Sequence, residues 1–191
     1  MMATSPMRTL TTVATAAWLT VGGYGIWSVM VVDDEGWEVA YSVYMLALLV
    51  GVVVAVLLAA QLTGGTGRPR LRVAGLAVCG LGCLASVVAW ALPLWMTLLA
   101  AGFGLLAAAC APPVRRGLAL VTAGQLVGLA VLYGGLIAKI GPRDEYGDYP
   151  LAFGASLVVA AALTIAGLVQ LARSGSEERA PGAPALRAAG A

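Results

Sequence analysis

The sequence predicts an all-α integral membrane protein, a bundle of six transmembrane helices with both termini in the cytoplasm. Three observations lead to this prediction. Hydrophobic residues make up 61% of the chain and charged residues only 10%, whereas an average soluble domain has about 25% charged residues. The charges fall between long apolar runs rather than inside them. Basic residues collect at one set of run ends and acidic residues at the other.

The first two spans are predicted by charge-free runs in the first third of the chain. Residues 9–32 carry no charge and are long enough to cross a hydrocarbon core of ~30 Å, so a span is expected at about 10–32. This run is longer than the core of a signal peptide, which indicates that the span is retained. The run 39–67 becomes loop-like at Gly64, so the second span is expected at about 38–62.

The run 73–114 is about twice as long as one membrane crossing requires. Pro93 lies near its middle, where a helix tends to end or kink. We therefore expect two spans joined by a very short turn, at about 72–91 and 94–111.

Two further charge-free runs predict the last spans, at about 117–139 and 150–172. The sequence after Arg173 consists mainly of Ser, Glu, Ala, Pro, Gly and Arg. Such a segment is too polar and too interrupted to pack, so residues 174–191 are expected to form a disordered cytoplasmic tail. The transmembrane domain is accordingly assigned to residues 1–173.

The positions of the charges predict the orientation of the bundle. Nine of the eleven basic residues fall on one predicted side, which the positive-inside rule makes cytoplasmic: Arg8, Arg68, Arg70, Arg72, Arg115, Arg116, Arg173, Arg179 and Arg187. Seven of the nine acids fall on the other side: Asp33, Asp34, Glu35, Glu38, Asp144, Glu145 and Asp148. The sequence thus predicts a multi-pass protein of the cell membrane.

The side chains available for chemistry are few. The chain has no His, and Cys79, Cys83 and Cys110 all lie inside apolar runs without another ligand beside them, so no metal or other cofactor is expected. No charged residue lies near the middle of a predicted span, which argues against an ion-coupled transporter. Gln125, inside the fifth span, is expected to form a hydrogen bond between helices.

Acidic and aromatic residues gather at the predicted outer end. Trp37, Glu38 and Tyr41 open the second span at helical spacing, and Asp148 directly precedes the sixth. Glu38 and Asp148 are the candidate acids, with Asp34 and Glu145 as second choices. The candidate substrate-binding residues are the aromatics of this end: Trp27, Trp37, Tyr41, Tyr44, Trp95, Tyr149 and Phe153. The alternative is that the acids complement helix dipoles and the aromatics form an interfacial belt.

These residue types suit one kind of reaction. A carboxylic acid in apolar surroundings keeps its proton, because burial disfavours the charged form. Such an acid can protonate an alkene or an epoxide. Aromatic ring faces then stabilise the cation, and a dry apolar wall keeps water from quenching it.

The segment Trp37-Glu38-x-x-Tyr41 resembles the Trp-Glu-x-x-Tyr segment of the small integral-membrane terpene cyclases. These enzymes act in fungal meroterpenoid and indole-diterpene pathways, and bacterial relatives cyclise prenylated indole alkaloids of the drimentine type. The resemblance implies metal-independent, proton-initiated cyclisation of a polyprenyl chain. Members of the family use two acids, a Glu early in the second helix and an Asp near the last helix. By the resemblance, Glu38 matches the Glu and Asp148 matches the Asp. Fungal members have seven helices and this chain is predicted to have six, which leaves Glu145 as the alternative to Asp148.

The sequence therefore predicts a bacterial membrane terpene cyclase of secondary metabolism that uses no cofactor. Its expected partners are the lipid bilayer and a prenylated small molecule, for example a farnesylated indole alkaloid, rather than nucleic acid. The sequence leaves two alternative functions open. A small-molecule transporter or transporter subunit would show substrate-dependent flux in liposomes, and a non-catalytic membrane scaffold would tolerate the loss of Glu38. The oligomeric state is left open.

Overall fold

The computed structural model of the chain describes residues 6–30, 37–64, 68–87, 92–141 and 150–177. These ranges contain six α-helices and no strand, which confirms the all-α prediction for the described part of the chain. The helices are α1 (Pro6–Met30), α2 (Trp37–Leu62), α3 (Pro69–Ser86), α4 (Leu92–Ala109), α5 (Pro112–Ala138) and α6 (Pro150–Glu177).

Four of these helices are long and apolar enough to cross a membrane, by length and composition: Pro6–Met30, Glu38–Leu62, Pro112–Ala138 and Pro150–Ser174. Helix α4 contributes a shorter apolar segment, Pro93–Ala109. Helix α3 has 18 residues and carries Arg70 and Arg72 near its start. The described chain is thus that of an integral, multi-pass membrane protein.

Prolines mark where several helices begin. Pro69, Pro112 and Pro150 are the first residues of α3, α5 and α6, a position where the missing N–H of proline leaves no bond unmade. The long run around Pro93 does divide into two helices, and Pro93 lies in the first turn of α4. At the other end of the chain, α6 continues through Glu177, so the first four residues of the predicted tail are helical; residues 178–191 lie outside the described part.

The helices form a ring in chain order, which the contact between α1 and α6 closes. In sequence around the bundle, α2 packs against α1, α1 against α6, α6 against α5, α5 against α4, and α4 against α3. Helices α2 and α3 touch much less than the other neighbouring pairs. The first and last helices are therefore direct neighbours, and α2 and α3 flank the loosest seam of the ring.

Glycines let these helices approach closely. A Cβ added to Gly25 of α1 would lie 2.7 Å from the carbonyl oxygen of Gly154 on α6. A Cβ on Gly124 of α5 would lie 3.0 Å from the carbonyl oxygen of Ala160, and one on Gly128 would lie 2.6 Å from Met96 Cε. The Gly124-x-x-x-Gly128 pattern thus serves contacts within the bundle, as small residues do in membrane helices generally.

One polar side-chain pair bridges two helices in the core. Gln125 Nε2 donates a hydrogen bond of 3.0 Å to Oγ1 of Thr164, and both residues are fully buried. The hydrogen bond between helices predicted for Gln125 is confirmed. Its Oε1 has no partner among the described residues.

At the end of the bundle opposite Glu38, arginines donate hydrogen bonds to the last carbonyl groups of helices. Arg72 donates to the carbonyl oxygen of Ala60 at 3.2 Å and to Thr63 Oγ1 at 3.3 Å, near the end of α2. Arg68 donates to the carbonyl oxygen of Ala108 at 3.1 Å, and Arg115 donates twice to that of Cys110, at 2.9 and 3.1 Å. The last carbonyls of a helix lack partners within it and favour nearby cations, so these arginines stabilise the ends of α2 and α4.

Candidate functional site

Four aromatic rings meet where α1 ends and α2 begins. The ring centroids of Tyr24 and Tyr44 lie 4.4 Å apart with the planes 15° from parallel. Trp27 stacks on Tyr24 at 5.8 Å, and Tyr41 tilts against Tyr44 at 6.1 Å. These four residues, Tyr24, Trp27, Tyr41 and Tyr44, are called the aromatic cluster below.

The cluster follows from two matching spacings. Tyr24 and Trp27 are three residues apart near the end of α1, and Tyr41 and Tyr44 are three apart near the start of α2. Residues at this spacing share a helix face. Because α1 and α2 are consecutive and pack together, their two pairs face each other across the interface.

The structure brings together three of the predicted substrate-binding residues, Trp27, Tyr41 and Tyr44. The sequence-based selection missed Tyr24, whose ring stacks against both Trp27 and Tyr44. A usable signal was present, because Tyr24 stands in the same spacing to Trp27 as Tyr41 does to Tyr44.

Burial divides the cluster into an inner and an outer part. Tyr44 is fully buried and Tyr24 is 6% exposed, and their stacked rings are too close to admit a third group between them. Trp27 and Tyr41 are half-buried. Trp27 and Tyr41 are therefore the more accessible members of the cluster.

Glu38 occupies the second position of α2 and its side chain is exposed. It stands six residues before Tyr44, which corresponds to about 120° around a helix. The buried stripe of α2 runs through Tyr44, Leu48 and Val52, so Glu38 lies at its margin. The described residues thus do not enclose the Glu38 carboxylate in the apolar surroundings expected of a proton donor.

Trp95 and Phe153 occupy other parts of the core. Trp95, on α4, is fully buried and its Nε1 has no partner among the described residues. Phe153 is half-buried on α6 and packs against the core. Trp95 lies at about the depth of Tyr24. Met96, next to Trp95, packs beside Gly128, and Gly128 packs beside Ser156 of α6. The next residue of α6, Leu157, packs beside Gly25, which follows Tyr24 in α1. The helix of Trp95, α4, packs mainly against α3 and α5 rather than against α1 and α2, which carry the cluster.

Several predicted residues lie outside the described part of the chain. These are Asp34, Glu145, Asp148 and Tyr149, together with the side chain of Trp37. The helix ends nearest to them belong to one end of the bundle, since the end of α1 packs beside the starts of both α2 and α6.

Comparison of the chain with protein-family models, curated proteins and solved structures gives no match.

The hydroxyl of Tyr44 provides a test of the cluster's internal packing. This Oη is buried and has no hydrogen-bond partner among the described residues. Tyr44→Phe keeps the stacked ring and removes an unsatisfied buried group, so the free energy of unfolding in detergent should stay unchanged or rise by about 1 kcal/mol. Tyr44→Leu should lower it, because ring–ring contacts contribute about 0.5–1.5 kcal/mol beyond area burial. Equal losses in both variants would show that the hydroxyl makes an important bond.

Proposed function

We propose that all six helices cross the cell membrane and that both termini lie in the cytoplasm. The support is the separation of charge along the described helices. Arg68, Arg72 and Arg115 close helix ends at one end of the bundle, and Glu38 lies at the other. Lys and Arg are enriched in cytoplasmic segments, so the arginine-bearing end is the cytoplasmic one.

Reporter fusions test this orientation. Fusions after Gly65, Arg116 and Arg173 should give a cytoplasmic signal, and a fusion near Gly147 should give an external one, because each crossing reverses the side. A cytoplasmic signal at Gly147 would contradict the six-span topology. Fusion after Arg8 is the control, since it precedes the charge-free run 9–32.

We propose that the protein is a metal-independent membrane terpene cyclase that acts on a prenylated small molecule. The observation that carries this proposal is the aromatic cluster at the start of α2, one turn from Glu38. Glu38 lies in the segment that resembles the membrane terpene cyclases, and the first ring of the cluster on α2, Tyr41, follows it by three residues. A polyprenyl chain could lie along Trp27 and Tyr41, which are the half-buried members.

In this mechanism Glu38 donates the proton that opens an epoxide or adds to a terminal alkene. Asp148, or else Glu145 or Asp34, is the second acid. The rings of Trp27 and Tyr41 stabilise the carbocation through their negative faces. A carboxylate of this acid pair then takes a proton from the cyclised cation, which restores the protons of the pair and gives a product of the same mass as the substrate. The substrate class is a prenylated small molecule, for example a farnesylated indole alkaloid.

The decisive experiment incubates the purified protein with prenylated indoles and with polyprenyl epoxides in the presence of EDTA. A cyclase should convert one of them into an isomer of unchanged mass, detectable by chromatography and mass spectrometry. A boiled sample is the control for spontaneous cyclisation. Absence of conversion for both substrate classes, in protein shown to be folded, would overturn the proposal.

A second candidate function, a non-catalytic membrane scaffold, is favoured by the exposure of Glu38. An acid in the first turn of a helix complements the helix dipole without any catalytic role. The stacking of Tyr24 on Tyr44 is likewise sufficient to join α1 to α2. The scaffold predicts that Glu38 is dispensable for function, which the activity of Glu38→Gln decides.

A further inference from the structure

The seam between α2 and α3 differs from the other interfaces of the ring in its packing. These two helices touch each other least of all neighbouring pairs. The glycines of each pack against a different neighbour, since Gly51 of α2 lies against Trp18 of α1, and Gly82 of α3 lies against Leu99 of α4. The seam is therefore the interface that opens with the smallest loss of packing.

Arg72 of α3 joins one end of this seam. Its guanidinium donates to the carbonyl oxygen of Ala60 and to Thr63 Oγ1, close to the end of α2. Counted from this end, α3 has 18 residues and α2 has 26, so the helices are about 27 Å and 39 Å long. Helix α3 thus ends about 12 Å before the start of α2, the end at which Glu38 lies.

Glu38 lies on the face of α2 that borders the seam. Thr63, which accepts a hydrogen bond from α3, marks this face. Three residues precede it by 7, 18 and 25 positions, each close to a whole number of helical turns: Val56, Met45 and Glu38. Glu38 is exposed because α3 ends before it reaches that depth, and Met45, two turns below the acid, is half-buried and apolar.

We propose that the seam between α2 and α3 is a lateral gate. The two helices separate at the Glu38 end and stay joined at Arg72, so a molecule dissolved in the bilayer passes along Met45 to Glu38. A prenyl chain is apolar and partitions into the hydrocarbon core, so its route to the acid runs through the membrane rather than through water. That the entering molecule is the prenylated substrate rests on the proposed function, whereas the opening of the seam does not.

Distances between spin labels, measured by electron paramagnetic resonance in liposomes, test the opening. Labels are attached at exposed helix positions in a protein whose Cys83 is replaced by Ala: Ser42→Cys with Leu84→Cys for the Glu38 end, and Gln61→Cys with Val73→Cys for the Arg72 end. The other two native cysteines are buried. The pair at the Glu38 end should give the broader distance distribution. Arg72→Gln should broaden the distribution at the Arg72 end, because it removes the hydrogen bonds there. Equal widths for the two pairs in the protein that keeps Arg72 would overturn the gate.

A disulfide across the seam tests whether the substrate uses the gate. Cys83 of α3 follows Arg72 by 11 residues, and Leu49 of α2 precedes Ala60 by 11 residues, so the two positions lie at matching depth. Both side chains are half-buried. Oxidation of the Leu49→Cys variant, which bonds the new thiol to Cys83, should abolish turnover, and reduction should restore it.

The control disulfide lies close to the Arg72 contact. It joins Val56→Cys to Leu76→Cys, each four residues from that contact, in a Cys83→Ala background, and should leave turnover unchanged. Full turnover by the oxidised Leu49→Cys variant would overturn the gate. Absence of turnover in the reduced protein would instead contradict the proposed cyclase, and the spin-label distances would then decide on the gate by themselves.

Discussion

Glu38→Gln is expected to abolish turnover of the prenylated substrate while the protein stays folded. Glutamine keeps the size and hydrogen-bonding capacity of the side chain but has no acidic proton to give. General acids typically contribute 10²–10⁴-fold to a rate, and protonation of an alkene offers no easier route, so the loss should reach the upper end of that range. If Asp148 acts together with Glu38, Asp148→Asn should be as severe, and the double variant hardly worse than either single one.

Stability measured on the same preparations distinguishes catalysis from a structural role. As an acid in the first turn of α2, Glu38 contributes about 0.3–1 kcal/mol through the helix dipole, so Glu38→Gln should lower the melting temperature only slightly. Ser42→Ala is the matched control, because Ser42 is also exposed and lies one turn later on α2. A fully active Glu38→Gln variant would exclude the acid mechanism and leave the scaffold as the better proposal.

Gly25→Leu is expected to destabilise the bundle strongly. A Cβ at this position would lie 2.7 Å from the carbonyl oxygen of Gly154 and 3.1 Å from Leu157 Cβ. Backbone cannot rotate away as a side chain can, so α1 and α6 would have to separate. Overpacking a close contact typically costs 1–3 kcal/mol, and the backbone obstacle should place this variant at or above the upper value. The measurement is the free energy of unfolding in mixed micelles.

Gly23→Leu provides the control on the same helix. Gly23 is exposed, and a Cβ there would meet nothing within 4 Å. Replacing an exposed helical glycine should be neutral or should stabilise by up to about 1 kcal/mol, since glycine is a poor helix former. Equal stability of the two variants would contradict the close packing of α1 on α6.

The helices themselves could be predicted from sequence because charge is excluded from the hydrocarbon core. Each charge-free run became a helix, and the one overlong run divided near Pro93 as expected. The ends differ by a few residues, as at α3, which ends at Ser86 rather than near residue 91. Helix ends depend on local capping and turn geometry, on which the run length says nothing.

Which faces of the helices meet could not be predicted in the same way. In a soluble protein an apolar stripe marks the buried face, but in lipid the outer face is apolar too. On α2, Val39, Val43 and Leu46 are exposed, whereas Tyr44 and Leu48 are fully buried. Hydropathy alone does not separate these residues. For the same reason, the sequence did not show that Glu38 lies at the margin of the buried stripe of α2, or that Tyr24 belongs to the aromatic cluster.

The ring order of the helices has a consequence for how the bundle is assembled during synthesis. Helix α1 is made first, yet one of its two main neighbours, α6, is the last of the six to be made. Until α6 enters the bilayer, the glycine-lined face of α1 around Gly25 contacts lipid or the insertion machinery. Helix α5 is in the same position, because its glycine contacts are mainly with α6. A chain stopped before α6 would therefore lack two closely packed interfaces at once, so we expect ribosome-bound intermediates to remain loosely associated until the sixth helix is released.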